Sequence, residues 1–128
     1  MNNYKEWISR AESNLLVAQT AQKGGGLFYE DLCNQLHQAV EKALKGLLVF
    51  YDEDPPKTHD LFNLLSRLER YINVTDDILD KTLLLDRYSV NIRYPGSYDP
   101  VTLEEFEEAF VVAMNYIHWV KNQIYCDL

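Results

Sequence analysis

Between positions 32 and 48, Leu32, Leu36, Ala39, Val40, Ala43, Leu44, Leu47 and Leu48 recur at steps of one, three and four. That spacing gathers them on one face of a helix; a strand, whose faces alternate every second residue, would scatter them. A stripe this broad belongs to a helix packed against several neighbours rather than one resting on a surface. The rest of the chain must therefore supply the elements that cover it.

Those elements are also helical. Trp7, Ala11, Leu15, Ala18 and Gln22 fall at steps of three and four, and all but the last can face a core. Gly24-Gly25-Gly26 then stops this first helix, because consecutive glycines carry a high backbone entropy cost and permit positive φ. The central helix is predicted over 27–51, ahead of Pro55-Pro56. Thr58 is the expected N-cap of a third helix, whose inner face is Leu61, Leu64, Leu65 and Leu68. The polar break from Asn73 to Asp77 caps a fourth, with acidic residues where the helix dipole favours them. It carries Ile78, Leu85 and Ile92 at heptad spacing, with Leu84 and Tyr88 beside them. It is expected to stop near Arg93, because Tyr94 precedes Pro95 and is pushed toward extended backbone. Thr102 and Glu105 form a capping box for a last helix built on Phe106, Phe110, Ala113, Ile117, Val120 and Ile124. Both tryptophans and Met114 fit the core pattern. With no strand alternation, internal repeat or linker, residues 1–128 read as one all-α domain. The expected architecture is an up-and-down helical bundle of four long helices plus one short helix.

Composition narrows the function. The formal charge of −8 works against sequence-independent nucleic-acid binding, which needs clustered Lys and Arg to neutralise phosphates, although it leaves room for a small basic pocket. Cys33 and Cys126 lie far apart and neither belongs to a CxxC pair, so reduced thiols are expected rather than a disulfide or zinc site. The N-terminus lacks the apolar core of a signal peptide, and FEEAFVVAMNYIHWV is too short and too charged to span a bilayer. A soluble, cytoplasmic protein without membrane contact is expected.

Three groups of residues can carry chemistry. His37, Glu41 and Lys45 stack at i, i+4 and i+8, with Glu before Lys in the favourable order for a helical ion pair. They are either a solvated stripe at the core edge or an inward group at an interface or pocket. Lys57, Thr58, His59 and Asp60 open the third helix, where unpaired backbone N–H groups beside a lysine can take an anion; plain capping explains the same residues. Arg93, Tyr94 and Tyr98 surround a proline turn, where the guanidinium could grip phosphate and a tyrosine ring could stack on a base. The sequence has no GxSxG, P-loop, GxGxxG or HExxH motif. His37, His59 and His118 share no metal-ligand spacing, so no metal and no cofactor is expected. His118 reads as a half-buried surface residue, and Glu104, Glu105, Glu107 and Glu108 read as solvent residues matched to the dipole of the last helix.

The stretch QLHQAVEKALKGLL, then KTHDLFNLL, then RYP resembles the HEPN domain family over essentially the whole chain. Glu41 and Lys45 match its EKALK segment, His59 and Asp60 its THDL segment, and Arg93 the start of its fourth-helix motif. The resemblance implies a helical bundle that dimerises around a cleft. It also implies nucleotide or RNA as ligand and a small nucleotidyltransferase as partner, in a toxin–antitoxin-like pair. The family's ribonucleases carry an arginine followed after four to six residues by a histidine. Here the positions after Arg93 hold Tyr98, Asp99 and Pro100, and those after Arg87 hold Ile92, Arg93 and Tyr94. With that histidine missing, a binding role without catalysis is the expected one. A ribonuclease toxin with an altered site is the alternative. Tyr98 also lies in a region comparable to the tyrosine that partners modify in some toxins of the family.

Overall fold

The computed structural model describes residues 3–88 and 100–125. Among these residues the chain forms five helices and no strand: α1 Tyr4–Gly24, α2 Tyr29–Phe50, α3 Leu61–Leu68, α4 Asp76–Asp86 and α5 Leu103–Tyr125. α2 packs against all four others. Its stripe from Leu32 to Leu48 is fully interior, as the periodicity demands. Each leucine buried there contributes roughly 1.5–3 kcal/mol of transfer free energy, so this one helix holds much of the core.

Each end has a local cause. Asn3 caps α1 by accepting the Lys5 N–H, and Gly25 and Gly26 leave the helix at φ 73° and 84°, in the region that favours glycine. The α1–α2 seam closes where Gly46 faces Tyr4, Trp7 and Ile8. Nearby Lys42 donates to Asn14 and Asn14 to Gln35, both at 2.7 Å. Thr75 caps α4 by accepting the Ile78 N–H. The capping box of α5 is formed in both directions, Glu105 N–H to Thr102 Oγ1 at 3.1 Å and Thr102 N–H to Glu105 Oε1 at 3.0 Å. α4 and α5 run antiparallel, since Tyr116 donates its hydroxyl to the Ile78 carbonyl while Arg87 pairs with Glu105. No helix of the described residues is long and apolar enough to cross a membrane.

Five expectations need correction. The N-cap of α3 is Asp60, not Thr58, whose hydroxyl instead accepts the Asp60 N–H one step earlier. α4 closes at Asp86, well short of Arg93, with Arg87 and Tyr88 in a turn tightened by the Tyr88 N–H to the Leu85 carbonyl. Met114 is 44% exposed on the outer face of α5, because Ala113, Tyr116 and Ile117 already fill the inward positions around it. Ile8 takes the interior place next to a half-buried Trp7. His118 is exposed, as are Glu104, Glu107 and Glu108.

Candidate functional site

His37, Glu41 and Lys45 stand on α2 one turn apart, and all three are buried, so the solvated-stripe alternative does not hold. A polar ladder this deep persists only if its members satisfy one another. Lys45 Nζ donates to Glu41 Oε2 at 3.0 Å, and His59 donates its Nδ1–H to Glu41 Oε1 at the same distance. A carboxylate can only accept, so the proton of that imidazole contact lies on His59. One rung away, His37 donates Nε2–H to Asp86 Oδ1 at 3.0 Å, and that same oxygen accepts the Leu61 N–H at 3.1 Å. The two halves meet where His37 Nδ1, without a hydrogen-bond partner, lies 3.9 Å from Glu41 Oε1.

This ladder ties the start of α3 and the end of α4 to the middle of α2. Burial pushes the Asp86 carboxyl up, but the His37 ring and the backbone N–H groups of Leu61 and Phe62 outweigh it and hold it below the ordinary aspartate value. Two carboxylates here face one lysine and two imidazoles, so the ladder is balanced with one ring protonated and positive with both.

The head of α3 differs from the open anion site considered from its sequence. Thr58 takes the Asp60 N–H, Asp86 the Leu61 N–H, and Asp60 Oδ1 the N–H groups of Phe62 and Asn63. The first backbone donors of α3 are thus already used by side chains. What faces outward is side-chain chemistry: His59, with 62% of its side chain exposed, and the exposed Lys57. With Nδ1 committed to Glu41, Nε2 is the ring nitrogen left for a ligand.

The structure therefore joins Glu41, Lys45 and His59 in one cluster, gives Asp60 to the cap of α3 and has Thr58 accept the Asp60 N–H ahead of it. Arg93, Tyr94 and Tyr98 lie outside the described residues, as does Ile92. Asp86 was missed by sequence reasoning. One signal could have found it: an acidic residue in the last turn of a helix opposes the dipole and needs another reason to be there. Among the described residues no group of three or more His, Cys, Asp or Glu side chains is placed to hold a metal ion.

The family model of the HEPN domain matches residues 4–123. Two solved structures are similar along nearly their full length. TT1696 from Thermus thermophilus has a TM-score of 0.84 at 30% identity, with 95% of this chain and 98% of that chain covered. ST0689, an archaeal HEPN homologue, has a TM-score of 0.79 at 32% identity, with 97% and 99% covered. No curated protein matches the chain.

Proposed function

Because the chain belongs to the HEPN domain family, we propose that it is a non-catalytic nucleotide- or phosphate-binding module. It works as a homodimer with a small nucleotidyltransferase, in a toxin–antitoxin-like pair in the cytoplasm. The observation that carries this reading is the imidazole of His59, anchored by Glu41 on one nitrogen and presented to solvent beside Lys57. A neutral imidazole in that setting offers a lone pair at Nε2; a phosphate is recognised when the ring takes a second proton and bridges carboxylate and phosphate. Glu41 fixes the ring by its Nδ1–H and Lys45 keeps the carboxylate in place, so the ladder sets the orientation in which His59 meets an anion. Arg93, with Tyr94 and Tyr98, supplies the guanidinium and the rings for the rest of a nucleotide. Calorimetric titration with ATP, GTP and a short RNA tests this. Micromolar binding is expected, lost in Arg93→Ala and weakened in His59→Ala; no heat with any of the three ligands would refute it.

A second reading draws support from the same pair. A carboxylate-held imidazole is also what a general base requires, so His59 can stand in for the histidine missing after Arg93 in a ribonuclease with an altered site. Cleavage of RNA by the purified protein, abolished by His59→Ala and by Arg93→Ala, would establish it. Intact RNA after prolonged incubation would leave the binding role.

A further inference from the structure

Away from the ladder, α4 and α5 enclose a groove of about 530 Å³. Its floor is Ile78, Val111, Val112, Tyr116 and Trp119, and its rim is Asp77 and Lys81 on one side and Glu108 and Asn115 on the other. Val111 is 49% exposed, an open apolar surface near the middle of α5. The one hydroxyl on the floor is spent, because Tyr116 donates it to the Ile78 carbonyl. Burial first, and then the charges of Asp77, Asp86 and Asp80, push the Tyr116 hydroxyl far above the ordinary tyrosine range, so the floor lies in a negative field.

A small polar ligand would find few convergent polar groups there, and such groups are what fix orientation in small-molecule sites. A second copy of the chain would bring the same carboxylates against these, within a molecule of net charge −8. A partner that places an apolar ridge on the floor and cations at Asp77 and Glu108 meets neither objection. We propose that the α4–α5 groove docks a basic amphipathic helical segment of another protein, with Leu- or Phe-type anchors over Val111 and Trp119 and Lys or Arg against Asp77 and Glu108. This is the helix-in-groove mode with a charge-selective rim. It is independent of what binds at His59.

Trp119 reports on the groove directly. The test is a fluorescence titration with a Trp-free Leu/Lys peptide of about 14 residues, long enough to form a helix on docking, and with its Leu/Glu counterpart. The Leu/Lys peptide should shift Trp119 emission to the blue with saturation. That shift should persist in Trp7→Phe, vanish in Trp119→Phe, and weaken with added salt. Should Trp7→Phe fail to fold, the difference between wild type and Trp119→Phe isolates the same signal. The pair Asp77→Lys and Glu108→Lys should weaken binding about tenfold or more, while Asp31→Lys with Glu69→Lys, an equal change in net charge elsewhere, should leave it within about threefold. The proposal is overturned by any of four outcomes. These are no shift with the Leu/Lys peptide, equal binding of both peptides or indifference to the rim reversal, and a concentration-dependent Trp119 shift without peptide, which would give the groove to a second copy.

Discussion

Two single residues decide more than their sequence context suggests. Gly46 sits inside α2, where glycine normally costs roughly 1 kcal/mol against alanine. A Cβ built there would lie 2.8 Å from Trp7 Cβ and 3.2 Å from Ile8 Cδ1, and Trp7 Cβ cannot swing away as a side-chain tip could. Gly46→Ala should therefore destabilise by about 1–3 kcal/mol despite the better helix former, as read from urea unfolding; a stabilised variant would show that α1 can shift without cost. Asp86 is the second. Its folded pKa lies below the ordinary aspartate value of 3.8, so the carboxylate adds stability that is complete above that value and is lost as pH falls through the folded one. Asp86→Asn should lower stability at neutral pH and flatten the acid limb below about pH 4. An unchanged acid limb would mean that the contacts with His37 and Leu61 are not felt in solution. Neither residue was legible as part of the site or seam. A glycine within a helical pattern does not announce its neighbour, and Asp86 meets His37 across 49 positions of chain.

At the scale of elements, α3 shows how a correct helix can have a misread end. Its inner face of Leu61, Leu64, Leu65 and Leu68 is wholly buried, as the spacing requires. Thr58 and Asp60 are both good caps by type, and only the fold decides between them, because Asp86 claims the Leu61 N–H and leaves Phe62 and Asn63 for Asp60. Asp60→Ala should cost about 1 kcal/mol, and Thr58→Ala distinctly less, in thermal or urea unfolding. The reverse order would restore Thr58 as the cap. α4 was the least legible element. Its heptad pattern continues past Asp86, whereas the backbone turns there, so the pattern records apolar residues without recording where the helix stops.

For the whole molecule, the bundle was readable because apolar periodicity is local and repeated along all five segments. Glu41 and Lys45 were legible as a pair from their i, i+4 spacing, whereas His59 joins them only through the way α3 is set against α2. Placing Asp86 with them needed the fold. As a homodimer, the protein should sediment at about twice its 15.0 kDa chain mass at micromolar concentration; a species of one chain mass at every concentration would remove the cleft between subunits from the account. The central claim is that His59, held by Glu41, is the point where a phosphate meets this protein. The most direct measurement is the nitrogen NMR signature of the His59 ring during titration with ATP. The account predicts that the His59 nitrogens move to the doubly protonated pattern on saturation, and that Glu41→Gln blunts the change. ATP binding that leaves the His59 nitrogens unmoved would contradict it.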